Sequence, residues 1–272
     1  MLIKIIFKIM ANYINAYPNQ AAYDADTTKQ YPNVSLLRDS GTIVHVKEEP
    51  VPPVYLTIEA CGDNFTFSFS SNLSYSLDDG NTWVALTANN DSPSMNSGDT
   101  AILKATLSPS TSYPYGIGKF SSSGTFNVNG NPLSLIYGDN FPNYVGQGVP
   151  AWAFYGMFRD ALVADASQLD LSETTLAEGC YGDMFDGCSE LTDAPILPAP
   201  TLAENCYTWM FEESSVTGIT CLATDISAPN CTSSWVEHVG GSGVFYKHPS
   251  MTDWTTGDSG IPRNWTVQDY QE

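Results

Sequence analysis

The stretch LAEGCYGDMFDGC, which begins at Leu176, returns as LAENCYTWMFEES at Leu202, 26 positions on. A weaker copy, SAPNCTSSWVEHV, begins at Ser227, and a degenerate earlier one, FYGMFRDA, sets Met157 and Phe158 27 positions before Met184 and Phe185. A unit this short cannot bury an apolar stripe by itself, so the copies must stack and share one core. Within the second copy Leu202, Cys206 and Met210 fall at i, i+4 and i+8, a spacing that predicts one face of a short helix. The intervening LTDAPILPAP and VTGITCLATDIS are Pro-broken or β-prone and predict a short strand per unit. The expectation is a short α/β solenoid over residues 138–272, ending in a cap.

Upstream the pattern changes. From Val54 come short alternating runs, VYLTIEAC, NFTFSFS, LSYSL, TWVAL, TAILKATL and GTFNVNG, parted by Gly, Asn, Asp and Pro. Phe65, Phe67 and Phe69 lie on one face of such a strand. Residues 53–137 therefore read as an antiparallel β-sandwich. Before the linker EEPVPP, the runs NVSLL and TIVHV flank Asp39-Ser40-Gly41 as a hairpin, in a small N-terminal module over residues 1–52. The whole is mainly β.

Composition restricts the partners. Ten basic residues stand against 30 acidic ones, a formal charge of −20, which excludes nucleic acid because phosphates require a basic surface. The acidity itself reads as solubility. No stretch is long enough to span a membrane. MLIKIIFKIM is interrupted by Lys8 and lacks a cleavage site, and Cys61 comes too late for a lipid anchor, so no secretion signal is expected. Met10 is an alternative start, which would make residues 1–9 a start-site artefact or an arm. Cys180, Cys206 and Cys231 occupy equivalent repeat positions and read as small core hydrophobes in preference to disulfides or metal ligands. His45, His238 and His248 form no recognisable ligand pattern. No metal site and no cofactor are assigned.

Two motifs hint at catalysis. Ser76, Asp78, Gly80, Thr82 and Trp83 spell the S-x-D-x-G-x-T-W Asp box of sialidases, while GDSGIP at 257–262 approaches the nucleophile motif of chymotrypsin-like proteases. Sialidases need an arginine triad, and here the only arginines, Arg38, Arg159 and Arg263, lie in three different modules. Ser259 sits 13 residues from the end of the sequence, behind a solenoid and with no barrel to hold an oxyanion hole. The Asp box reads as a hairpin closure with Trp83 toward the core, and Ser259 as part of a polar turn. No catalytic residue is assigned, and an enzyme is not expected.

Cys180-Tyr181, Met184-Phe185, Cys188, Leu191, Pro195, Leu197-Pro198-Ala199, Leu202, Cys206-Tyr207 and Met210-Phe211 occur in the order of the BspA-like leucine-rich repeats, which this segment resembles. The third copy departs from the pattern, with Trp235 for Met and Ser214 where a second cysteine would stand. The segment from LSYSLDDGNTW to FYGMF looks like the sandwich preceding such repeats in proteins of gut bacteria and their phages. YPNVSLLRDSGTIVHV is similar to the N-terminal module of virion surface proteins in tailed phages of gut bacteria, including the crAss-like group. These resemblances imply a leucine-rich-repeat-type solenoid in a non-enzymatic virion structural protein, a head fibre or capsid-decorating protein. It would be a homotrimer, assembled in the host cytoplasm, that touches host-surface or mucus glycans. A tail-fibre component and a bacterial cell-surface adhesin are the alternatives. The implied attachment residues are Tyr13, Tyr17, Tyr23, Tyr31 and Arg38. Tyr207 and Trp209 are candidate ligand contacts, while Trp235, in a core Met position, reads equally well as packing.

Overall fold

The computed structural model describes residues 14–17, 34–39, 42–47, 54–112 and 115–271. The chain divides into two compact units, residues 1–52 and 53–272. In the first, β1 (Ile14–Tyr17), β2 (Val34–Asp39) and β3 (Thr42–Lys47) form an antiparallel sheet of order β1-β3-β2. Ile43 of β3 pairs with Tyr17 on one side and with Arg38 on the other.

The second unit is mainly β, with a solenoid of about four turns joined to an antiparallel sheet. The antiparallel strands are β4 (Leu56–Ala60), β5 (Phe67–Phe69), β6 (Leu73–Ser76), β7 (Val84–Leu86), β8 (Thr100–Lys104), β9 (Phe120–Ser122) and β10 (Phe126–Gly130). Alternation sets their faces: Phe65, Phe67 and Phe69 are buried while Thr66 and Ser68 between them are half-buried. The small β5-β9 sheet places Phe67 6.4 Å from Tyr75 of the large sheet, ring centre to ring centre. A four-residue helix, α1 (Ser134–Tyr137), follows β10.

The solenoid contributes β11 (Val163–Leu169), β12 (Asp193–Leu197), β13 (Gly218–Cys221), β14 (Val244–Lys247) and β15 (Thr266–Asp269), paired in parallel. β10 pairs antiparallel with β4 and parallel with β11, so one ten-stranded sheet, β15-β14-β13-β12-β11-β10-β4-β8-β6-β7, runs through both parts. Gly130, at φ +76°, makes that junction possible, because a Cβ there would lie 2.1 Å from the Tyr55 carbonyl oxygen.

The expected repeat helices are absent. Among the described residues each repeat is a coil of linked four-residue turns, with a residue of positive φ at every fourth place: Trp152, Gly156 and Asp160; Gly179, Asp183 and Gly187; Asn205, Trp209 and Glu213; Asn230, Ser234 and His238. Backbone donors alternate in use. Cys206, Thr208, Met210, Glu212 and Ser214 donate back three residues within the coil, while Asn205, Tyr207, Trp209, Phe211 and Glu213 donate across to the next coil. A helix would turn every N–H inward along its own axis; here half of them join neighbours, as in a sheet. The α/β expectation for the solenoid is thus corrected to a β-solenoid.

Inside the coils the repeated aromatics form columns. Phe120, Phe158, Phe185 and Phe211 stack at 5.2, 5.5 and 5.8 Å. Phe154, Tyr181 and Tyr207 stack beside them at 5.8 and 6.2 Å. Both columns converge on Trp235, which is fully buried, lies 6.3 Å from Tyr207 and from Phe211, and stacks in turn on Trp254 at 5.5 Å. Each such ring contributes roughly 1.5–3 kcal/mol by leaving water, and the stacking adds geometric register.

Each end of this turn ladder is closed. At the first coil, Ile117 and Phe120 donate to the carbonyls of Ala153 and Met157. At the last, Val236 N–H donates to the Asp258 carbonyl, Thr232 Oγ1 to the Ser259 carbonyl and Trp235 Nε1 to the Gly260 carbonyl. Among the described residues, no helix is long and apolar enough to cross a membrane.

Candidate functional site

A groove of about 790 Å³ opens where the antiparallel part meets the first two coils. Along its floor run Gly116–Lys119 and, from the first coil, Tyr155, Gly156, Arg159 and Asp160; Ser70, Ser71, Ser108 and Ser110 border it, with Ser70 and Ser71 hydrogen-bonded to Lys119 and Ile117. Gly116, at φ +84°, lets the floor lie against the coil, since a Cβ would approach the Tyr155 carbonyl oxygen to 2.7 Å.

The second coil is shaped to seat the side chains of the first. Trp152 lies over Gly179, where a Cβ would come within 2.3 Å of the indole; Tyr155 lies over Gly182, within 2.8 Å of its ring; and the Asp160 carboxylate lies over Gly187, within 2.6 Å. Three glycines of YGDMFDG and its approach thus hold two aromatic rings and a carboxylate flat against the ladder. Tyr115 stacks on Trp152 at 4.4 Å and meets Tyr155 edge-on at 5.3 Å, which completes an aromatic patch at the groove.

Beside this patch Arg159 Nη1 contacts Asp183 Oδ2 at 2.9 Å and its Nε contacts Asp186 Oδ2 at 3.1 Å. The ladder makes this grouping, because Asp183 and Asp186 belong to the coil after that of Arg159. Burial pushes the Asp183 carboxyl up to about 7, against the opposing pull of Arg159, and the neighbouring Asp186 charge adds to the rise. Asp186 is raised as well, again first by burial. Partial burial works against the Arg159 charge, and Asp183, Asp186 and Asp160 more than offset it. Burial and the Asp183 charge keep the Tyr155 phenol protonated. Lys119 Nζ pairs with Asp160 Oδ2 at 2.8 Å.

Tyr207, expected as a ligand contact, is 1% exposed and stands in the aromatic column, so that assignment is corrected. Trp209, at a positive-φ turn position, is 41% exposed. Tyr17 and Arg38 lie in β1 and β2, both in register with Ile43, and Tyr13, Tyr23 and Tyr31 lie outside the described residues. The groove combines residues from five stretches of chain, and no local motif marks it. Its one sequence signal is the density of glycine in the copy that begins at Leu176, at positions where the copy beginning at Leu202 carries Asn205, Thr208 and Glu213.

The two motifs resembling catalytic ones are structural. Ser76 Oγ donates to Asp78 Oδ1 at 2.7 Å and accepts from Gly80 N–H at 2.9 Å, while Asp78 accepts from the Thr82 N–H and hydroxyl, both at 2.8 Å. These bonds close the β6–β7 turn and hold the Asp78 carboxyl below its ordinary range, first through Ser76. Trp83 is only half-buried, packed against Tyr55 at 5.5 Å and beneath Lys104 Nζ at 3.8 Å from its ring centre. Cys180, Cys188, Cys206, Cys221 and Cys231 are buried free thiols, and Cys61 is exposed. Among the described residues, Glu212, Glu237 and His238 bring one donor atom each within 4.8 Å of the others, a proximity the ladder creates between coils. Glu212 and Glu237 are half-buried and His238 is exposed.

Fold and site together define a β-solenoid protein closed by an antiparallel sheet, with a polar, aromatic groove at the junction. No family model, no curated protein and no solved structure matches the chain.

Proposed function

We propose that this chain is a non-enzymatic structural protein of a phage virion surface, a head fibre or capsid-decorating protein. Its first unit would attach to the particle and its second would be presented to the host surface. The observation that carries this reading is the division of the chain into a small three-stranded unit and a large one organised on a single ten-stranded sheet. One part is suited to docking and the other to projecting a surface. The repeat motif supports the virion setting through its likeness to BspA-like repeats. We also read the two antiparallel sheets as a sandwich and the assembly as a trimer.

The geometry of the acidic pair supports a binding role over catalysis. Glycosidase carboxylates stand about 5–5.5 Å apart in retaining enzymes and roughly 6.5–9.5 Å apart in inverting ones. Asp183 and Asp186 are both held by the Arg159 guanidinium, at 2.9 and 3.1 Å, an arrangement that ties up each carboxylate and leaves neither free to act on a sugar.

Removal of residues 1–52 tests the reading. The shortened protein should remain folded and fail to join phage particles. Incorporation at normal copy number would refute the attachment role, and display of the protein on uninfected bacteria would establish the adhesin alternative instead. Robust turnover in a glycan-hydrolysis screen would overturn the non-enzymatic assignment.

A further inference from the structure

We infer that the junction groove is a binding site for a neutral oligosaccharide. The inference deepens the proposed function by naming the chemistry the presented unit recognises, and it rests on that reading for its biological setting.

A saccharide has apolar C–H faces and a rim of hydroxyls, each able to donate and accept. A site for it needs flat aromatic surface beside fixed donors and acceptors in a concave shape. The groove has both. Tyr115 and Tyr155 line it, and Trp152 supports Tyr115 from behind. Arg159 supplies N–H donors fixed by Asp183 and Asp186, the exposed Asp160 carboxylate supplies acceptor oxygens, and the exposed Ser108 hydroxyl can serve as either. The volume of about 790 Å³ falls in the range of small-ligand sites and accommodates more than one sugar ring.

Preorganisation separates this groove from an accidental surface hollow. Tyr155 lies against Gly182, Trp152 against Gly179 and Asp160 against Gly187. Arg159 is fixed by two carboxylates of the next coil, at 2.9 and 3.1 Å. Groups held in place before a ligand arrives lose little entropy on binding. Gly182 has an ordinary φ, so backbone strain gives no reason for glycine there; the close approach of the Tyr155 ring does.

Charge selects the kind of sugar. Lys119 is paired with Asp160, and Arg159 with Asp183 and Asp186, so both cations of the groove are already compensated. Together with a whole-chain charge of −20 this leaves no attraction for a sialylated or uronic-acid glycan. Neutral hexose or N-acetylhexosamine chains fit without leaving a charge unpaired.

The test is a titration of the full-length protein with neutral hexose and N-acetylhexosamine oligomers and with sialylated counterparts, followed by saturation-transfer NMR. Saturable binding of at least one neutral oligomer is expected, weakened about tenfold or more by Tyr155→Ala and by Gly182→Ala and unchanged by Val267→Ala, a change at an exposed position of β15 away from the groove. Ser108→Trp, a change at an exposed wall position, should block the groove without touching the core and keeps the test decisive if either other variant fails to fold. The assignment falls if no neutral oligomer binds at millimolar concentration, if sialylated forms bind better, or if Ser108→Trp leaves binding intact. Particle incorporation, scored on the same protein, separates the two levels. Incorporation without saccharide binding removes the groove assignment and leaves the virion reading standing, and binding without incorporation does the reverse.

Discussion

Ser259 Oγ accepts the backbone N–H of Ser234 at 2.9 Å, and so stands where the next coil's carbonyl would be. The residue that looked most like a protease nucleophile is thus an end stop for the turn ladder. Ser259→Ala leaves that N–H without its acceptor and should cost about 1 kcal/mol, read as a lower urea midpoint with an unchanged slope. Phenylmethylsulfonyl fluoride should leave the mass of the protein unchanged; a covalent adduct at Ser259 would contradict this role.

The cysteines should divide cleanly by reactivity. Burial pushes the Cys180 and Cys221 thiols up to about 12, and Cys188 and Cys206 are raised further for the same reason. Only Cys61 is exposed. The reduced native protein should release about one equivalent of thionitrobenzoate from Ellman's reagent, and about six after denaturation. A fast phase of several equivalents would show that the coils open.

Phe185 lies at the centre of its column, 5.5 Å from Phe158 and 5.8 Å from Phe211. Phe185→Ala removes contacts on both sides at once and should destabilise the second unit by about 3–5 kcal/mol. Chemical denaturation is the measurement, and a loss below about 1 kcal/mol would mean that the column is not continuous.

The raised Asp183 carboxyl predicts a pH dependence of definite sign. The folded form holds its proton more tightly than the unfolded chain, whose carboxyl titrates near 3.9. This stabilising contribution is complete below the unfolded value and is lost as pH rises through the folded value of about 7. Stability should therefore decline between about pH 4 and pH 7 relative to Asp183→Asn, which keeps the shape and removes the titration. Parallel curves for the two proteins would show that the Asp183 carboxyl is not raised in the folded state.

The stacking of the coils was legible in the sequence because Cys180, Cys206 and Cys231 recur in step with their neighbours, and recurrence at this length demands a shared core. The path of the chain within each coil was not. Leu202, Cys206 and Met210 return to one side every four residues, and over two returns a helix of 3.6 residues per turn and a string of four-residue turns give the same pattern. The distinguishing mark was nevertheless present. Gly179, Asp183 and Gly187 are residue types that tolerate positive φ, spaced by four, and a helix has no use for them there. Tyr207 was misjudged for the same reason, since an assumed helix leaves a face for it that the coil does not. The groove was invisible because Arg159 meets Asp183 and Asp186 only through stacking.

The alternation of backbone donors, one within the coil and the next across it, has a bearing on how such a molecule can change. Every coil offers its successor the same row of N–H donors, and the final turn at 258–260 docks on that row without regard to how many coils precede it. Gain or loss of a whole repeat leaves both ends intact and shifts one relative to the other by roughly 4.8 Å, the spacing of neighbouring strands. The reach of the protein is therefore quantised, adjustable by gene duplication in fixed steps while the groove at its first coil stays as it is.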